Sequence, residues 1–338
     1  MNKFVLLSLA CSLLSLSFAQ EVTLRLGHFL SPQSTVPANF IKPWADRVME
    51  ESDGRIAIEI FPNSQLAAPA AIYDAVKDGI IDIGWSLPGY TPGRFPVSEV
   101  FELPFMASSA EVTSQAAWEF YEKHLTEEFG DVKMIVFHVH SPGLFHVKGE
   151  PITDLSSLTG RTIRAPTRSM NSALELLGAE PVGMPVPQVP ESISRGVIEG
   201  AVLPYQVTTS LKLAELVNSH TAFESDRSMY TATFFFAMNK DAYNRLPDDL
   251  KAVIDNNSGL EVSGRVGKIM DQGDALGLAA AQEQGNDFYF FTEAEQDQWV
   301  TLTQPVIDNW VALMEDAGMD GAAMLQEARD LIAKYESQ

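Results

Sequence analysis

The chain has 338 residues, 46% of them hydrophobic, and sets 23 Lys and Arg against 45 Asp and Glu for a formal charge of −22. A negative surplus of that size repels nucleic acid and anionic lipid surfaces and favours solubility, so neither is an expected partner. The length suits two lobes rather than one small core.

Taken in chain order, residues 1–19 read as a secretory signal peptide. Lys3 gives a small positive start, Phe4 to Phe18 is almost continuously apolar or small, and Ser17-Phe18-Ala19 offers a small-x-small cleavage site before Gln20. The stretch is too short for a membrane span and no second one follows it, so no direct membrane insertion is expected. Cys11, the single cysteine, lies inside it, and Ser8-Leu9-Ala10 is a poor lipobox, which favours a released chain over a lipoprotein. The remaining chain would have no disulfide, no thiol nucleophile and no thiolate metal site, so its stability rests on packing.

Val22 to Gly27 reads as a first strand. Phe40, Trp44 and Val48 follow at helical spacing, with Pro43 a kink or a late helix start. After Gly54, Ile56, Ile58 and Ile60 alternate as a second strand. A helix over Ile72 to Lys77 leads into a third strand, "IIDIGWSLP". Strand, helix, strand, helix, strand is the pattern of a mostly parallel sheet covered on both faces.

An internal echo links "DGIIDIGWSLP" (78–88) with "RGVIEGAVLP" (195–204). In each, a helix ends on Gly (Gly79, Gly196), aliphatics and an acid follow (Asp82, Glu199), and the run closes on a proline. Glycine beyond the last turn suits a left-handed cap, and the aliphatics suit a buried strand. Each copy follows its own strand-helix-strand run, which predicts two similar α/β lobes. "KMIVFHVHSPG" (133–143) reads as a buried strand with a crossover, and "TATFFFAMN" (231–239) as a strand returning to the first sheet. The lobes are therefore expected to be discontinuous: 20–142 with about 228–265, and 143–227 with about 266–330. Asp248 to about Gln284 reads as one helical stretch, bent or packed against other backbone because of its five glycines between Gly259 and Gly277. Helices around Trp299 to Met314 and Ala322 to Tyr335 end the chain.

Two kinds of chemistry compete. His138 and His140 share one face of a strand, a geometry that some metal sites use, but a third ligand such as His28 or His146 would have to converge on them. The alternative is a pair of histidines that bond to backbone or line a cleft. Ser86 in "GWSLPG" lacks the Gly two residues later that a nucleophile elbow requires, and no G-x-G-x-x-G or phosphate loop is present. No cofactor is implied. The other chemistry is anion binding. In "LTGRTIRAPTRSMN" (158–171), Arg164 lies on a strand that Pro166 ends, and Thr167 or Ser169 can cap a helix beginning near Asn171. A guanidinium near a helix N-terminus adds a planar, permanently charged fork to unpaired N–H groups. Either it binds a carboxylate or it forms a structural ion pair with one of the acids.

The mature chain resembles the solute-binding proteins of tripartite ATP-independent periplasmic (TRAP) transporters, of the dicarboxylate-binding-protein type. The resemblance rests on "LRLGHFLSPQS", "DGIIDIGWSLPGYTPGRFP", "VFELPFM", "ITDLSSLTGRTIRAP", "LGAEPVGMPVPQV", "GVIEGAVLP" and "LPDDLKAVID", in that order. It implies a two-lobed α/β periplasmic-binding-protein fold with a long helix spanning both lobes. It also implies a receptor that does no chemistry, located in the periplasm and serving a membrane permease. The Arg of the G-x-x-I-R-x-P stretch, here Arg164, would clamp the ligand carboxylate. Where many relatives carry a polar residue, often Asn, before the second echo's proline, this chain has Leu203. Val186-Pro187-Gln188 stands where they tend to have an aromatic residue, then Ser or Gly, then Glu, and Arg168 stands where they often have a small residue. These departures weigh against sugar acids. A wall of Val186, Leu203 and Tyr205, with Phe29, Trp85 and Tyr230 from elsewhere, suits an aromatic or apolar monocarboxylate. The alternatives are a small aliphatic or dicarboxylic acid, for which Arg168 would be a second cation, a sugar acid, or a metal-dependent secreted hydrolase using His138 and His140.

Overall fold

The structure is a computed structural model and describes residues 20–225 and 227–338; the expected signal peptide lies outside them. Two sheets organise the chain. The first holds β1 (Val22–His28), β2 (Ile56–Phe61), β3 (Ile83–Ser86), β4 (Val132–Val139) and β10 (Thr233–Asn239) in the order β2-β1-β3-β10-β4. The second holds β5 (Leu144–Val147), β6 (Thr162–Ala165), β7 (Glu180–Gly183), β8 (Gly200–Leu203), β9 (Ser219–Phe223) and β11 (Asp287–Phe291), ordered β11-β9-β5-β8-β6-β7. β1 is parallel to β2 and β3, and β6 to β7 and β8, whereas β10 and β5 run antiparallel to their neighbours. These antiparallel strands are where the chain crosses between the lobes.

The internal echo is structural. Gly79 and Gly196 sit at φ +70° and +71°, a left-handed conformation open to glycine without a Cβ penalty. The acid that follows each turn does the same work in both lobes. The Asp82 carboxylate accepts from the Arg25 backbone N–H (2.8 Å), and the Glu199 carboxylate accepts from the Thr162 backbone N–H (3.0 Å). Each acid thus pins the strand that begins its strand-helix-strand-helix-strand run (β1, β6) to the strand that ends it (β3, β8).

The helical stretch after Asp248 is interrupted. It forms Asp248–Asn256 and then Leu260–Gln284, because Gly259 turns to φ +97° and gives its N–H to the Ile135 carbonyl of β4 at 2.9 Å. The second of these helices is the brace. It packs against Ala110–Phe120 in the first lobe and Tyr205–Leu211 in the second. One turn of it caps both neighbours. Asp271 accepts from the N–H groups of Ala110 (2.8 Å) and Glu111 (2.9 Å), and Asp274 accepts from that of Gln206 (2.7 Å). A carboxylate at a helix N-terminus satisfies donors that the helix itself leaves open. Residues three apart on a helix share a face, so one rigid element holds both lobes.

Two further boundaries differ from the sequence reading. The helix expected near Asn171 starts at Arg168, with Thr167 as its cap accepting from Met170 N–H at 3.3 Å. The helix expected from Trp299 begins at Glu293, where Thr292 and Glu295 form a reciprocal capping box. The final helix, Gly321–Glu336, packs against Ala110–Phe120, so the chain ends on the first lobe. Among the described residues no helix is long and apolar enough to cross a membrane.

Candidate functional site

A narrow cavity lies between the lobes, and Arg164 is the cation in its wall. Arg164 sits in β6 at 1% exposure, with β7 and β8 on either side. Its Nε donates to the Met184 carbonyl (2.9 Å) and its Nη1 to the Val202 carbonyl (3.2 Å). Two of the five guanidinium N–H bonds thereby orient the fork, and three remain for another acceptor. Among the described residues no carboxylate forms an ion pair with it, and its partners are the two strand carbonyls. A buried guanidinium without a protein anion is costly unless something else neutralises it.

The opposite wall is a stack of flat rings. Phe29 and Phe234 each stack on Trp85 at 5.0 Å, and His138 stacks on Phe234 at the same distance. Tyr90 meets Phe29 edge-on at 5.8 Å, while its hydroxyl oxygen accepts from Val186 N–H at 3.1 Å across the seam between the lobes. That leaves the Tyr90 hydroxyl proton free to donate. Val186, Leu203 and Tyr230 complete the apolar surface, joined by His140, Gln206 and Val207.

The structure therefore brings Arg164, Phe29, Trp85, Val186, Leu203 and Tyr230 together around one space. It does not bring Arg168 or Tyr205 there. Arg168 opens its helix with a side chain 40% exposed and pairs with Glu99 of the first lobe at 2.5 Å, tying the lobes together outside the cavity. Tyr205 is the first residue of a helix that starts just past Pro204, so the turn carries its ring behind the wall. There it packs on His146 at 5.3 Å and His220 at 5.6 Å, and Gln206 and Val207 take the cavity side. Tyr90, Phe234 and Gln206 were not among the residues the sequence pointed to as lining, whereas a cleft-lining role was one of the two readings of His140. Tyr90 stands within "PGYTPG", and that motif was the one available signal.

His138, His146 and His220 are spoken for by neighbours. His138 Nε2 accepts from the Trp85 indole N–H at 3.0 Å, and its Nδ1 faces the Val139 carbonyl. His146 Nε2 donates to the Leu203 carbonyl (3.1 Å), so its Nδ1 accepts from His220 Nδ1 (2.7 Å), and His220 Nε2 in turn accepts from Asn286 (3.0 Å). This chain of fixed tautomers holds the backbone of the cavity wall at Leu203. Among the described residues no three His, Cys, Asp or Glu side chains gather as a metal site requires.

Residues 26–313 match the family of bacterial extracellular solute-binding proteins, family 7. The chain belongs to this family. It is a TRAP solute receptor, in a family that serves transport rather than catalysis. A solved TRAP solute-binding protein from Rhodoferax ferrireducens T118, in complex with copurified benzoate, is 45% identical with a TM-score of 0.91, over 93% of this chain and 98% of that one. A marine metagenome TRAP solute-binding protein specific for aromatic acid ligands, in complex with co-crystallised 3-hydroxybenzoate, is 40% identical with a TM-score of 0.91, over 94% and 99% of the two chains. The Comamonas testosteroni protein named outer membrane transporter protein TsaT is 27% identical over 317 residues, 93% of this chain and 91% of its own.

Buried titratable groups give the receptor a pH signature. Burial lowers His138 to about 3 and His28, His140 and His220 to about 4. Burial, reinforced by the Glu99 charge, raises Glu102 to about 8; burial raises Glu128 and Asp274 to about 7. Below the ordinary histidine value of 6.5 the unfolded chain takes up protons that the folded histidines refuse, so their share of stability falls with falling pH. The carboxyls act oppositely. Their unfolded forms ionise above about 4 and their folded forms only at about 7 to 8, so their share falls as pH rises through that window. The two sets oppose each other at mildly acid pH, and above 6.5 the carboxyls act alone. Melting temperature should therefore hold between about pH 5 and 6.5 and drop towards pH 8, at up to about 1.4 kcal/mol per pH unit for each proton. Glu102→Gln should raise it at pH 8 and not at pH 5. Melts followed by circular dichroism decide this, and a melting temperature that climbs steadily to pH 8 contradicts it.

Proposed function

We propose that the receptor closes on an aromatic monocarboxylate, held by Arg164, and delivers it from the periplasm to a TRAP membrane permease. The observation that carries this reading is the pairing of one buried, pre-oriented guanidinium with a wall of stacked rings. The fork can hold a carboxylate by two parallel hydrogen bonds, and the Tyr90 hydroxyl adds a donor beside it. A flat ring gains about 25 cal/mol for each Å² of apolar surface taken out of water against Phe29, Trp85, Val186 and Leu203. A polyol gains less. Each hydroxyl turned to Val186 or Leu203 goes unpaired, at roughly 1–3 kcal/mol apiece. An aliphatic diacid would need a second cation, and Arg168 is engaged with Glu99. The benzoate and 3-hydroxybenzoate complexes of the two structural relatives support the same class. Binding energy that differs between open and closed forms drives closure about the brace helix.

Calorimetry on the chain from Gln20 onward tests the reading. Benzoate or a hydroxybenzoate should bind at least about a hundredfold more tightly than gluconate, glucuronate or succinate, a gap of about 2.7 kcal/mol. Leu203→Asn should narrow it by giving a hydroxyl a partner. A uronate or aldonate as the tightest ligand would overturn the ligand class.

A further inference from the structure

Among the described residues His140 is the one imidazole that lines the cavity, His138 stacking on Phe234 outside the lining, and the aromatic-acid reading does not use it. It stands just past the end of β4, where its Nδ1 lies 2.5 Å from the Ser141 carbonyl oxygen. A carbonyl oxygen only accepts, so Nδ1 carries the hydrogen and Nε2 presents a bare lone pair. Among the described residues no donor bonds to Nε2. The Tyr230 ring meets the imidazole edge-on at 5.0 Å and Phe234 does so at 6.2 Å, fixing its plane. Burial, with the nearby Arg164 charge acting in the same direction, lowers the His140 pKa to about 4, so the ring stays neutral and accepting across the neutral range.

Resting on the aromatic-acid reading, we infer that His140 makes the receptor selective for aromatic acids that carry a hydrogen-bond donor, a ring or side-chain hydroxyl, and adverse to a second carboxylate at that place. The wall then has two unlike polar poles. Arg164 and the Tyr90 hydroxyl offer donors, which suit the carboxylate, and His140 offers an acceptor, which needs a donor. A hydroxyl facing Nε2 replaces its bond to water, whereas a carboxylate there sets lone pair against lone pair in a dry site. A ring fluorine matches a hydroxyl closely in size and cannot donate.

The experiment measures affinities of benzoate, the three hydroxybenzoates, the matching fluorobenzoates and the matching benzenedicarboxylates for the wild-type receptor and for His140→Phe. In the wild type at least one hydroxybenzoate should bind about fivefold or more tighter than benzoate. Its fluoro analogue should lose that preference, and the diacid should bind more weakly than benzoate. In His140→Phe the ratio of hydroxybenzoate to benzoate affinity should fall to about one, whatever the change in benzoate affinity itself. Equal loss of benzoate and hydroxybenzoate in the variant would make His140 structural and overturn the inference. So would a wild-type fluorobenzoate that keeps the full preference, a comparison that holds even if the variant does not fold. Benzoate bound without any preference among the hydroxybenzoates also sinks the inference and leaves the aromatic-acid reading standing. Failure of every one of these acids to bind removes that reading and this inference with it.

Discussion

Replacing Arg164 by Ala should abolish measurable binding of the aromatic acid while the receptor stays folded. Truncating one partner of a buried, charge-assisted pair costs on the order of 2–5 kcal/mol, or roughly thirtyfold to several-thousandfold in affinity. Here the guanidinium is also anchored by the Met184 and Val202 carbonyls, so its direction is set before the ligand arrives. Arg164→Lys should fail nearly as badly. One ammonium cannot reach two strand carbonyls and also present two parallel donors to a carboxylate. Near-normal affinity by calorimetry for either variant would remove Arg164 from the site. Circular dichroism melts serve as the control, since the loss should appear in binding well before it appears in stability.

The second large effect is expected from a single methyl group outside the cavity. Gly277 lies on the brace helix where it crosses Tyr205–Leu211, and a Cβ there would overlap the backbone carbonyl oxygen of Tyr205. Backbone is not a flexible partner. The helices must part, and the neighbouring Asp274 cap on Gln206 N–H stretches with them. Gly277→Ala should cost about 1–3 kcal/mol by overpacking, or more if the cap is lost, and should lower the melting temperature by several degrees. It should also weaken ligand binding, because Gln206 and Val207 line the cavity from that same helix. Leu276→Ala, one residue away and 66% exposed, is the matched control and should change neither. If Gly277→Ala melts within about one degree of wild type, close backbone approach is not what holds the brace to the second lobe.

How much of this was legible beforehand follows from the range over which each signal acts. Alternation at Ile56, Ile58 and Ile60, the glycine-acid-strand junctions at Gly79 and Gly196, and the strand that Pro166 ends are local patterns. They are set by backbone sterics and side-chain period, and they appear in the structure where the sequence puts them. Arg164 was readable for the same reason. A guanidinium on a strand that runs into a capped helix is a local arrangement, whatever the rest of the chain does. The break at Gly259 was less so, since Gly259 leaves the helix to bond the Ile135 carbonyl on a strand more than a hundred residues earlier.

The sequence by itself determined the class of fold, the existence of two related lobes and the candidate cation that the structure places in the cavity wall. Tertiary structure alone decided which side chains surround that cation. Arg168 and Glu99 are 69 residues apart, and only docking of the lobes turns Arg168 from a candidate second anchor into a strut between them. Tyr205 and Gln206 are adjacent, yet one lies behind the wall and the other in it, because the phase of a helix starting at Tyr205 depends on how the brace seats it. Asp271 and Asp274 read as two of many acids until the helix they share is laid between two other helix ends. Local pattern governs what a segment becomes. The contacts between segments distant in sequence govern which of its side chains meet the ligand, and no period within a single segment encodes them.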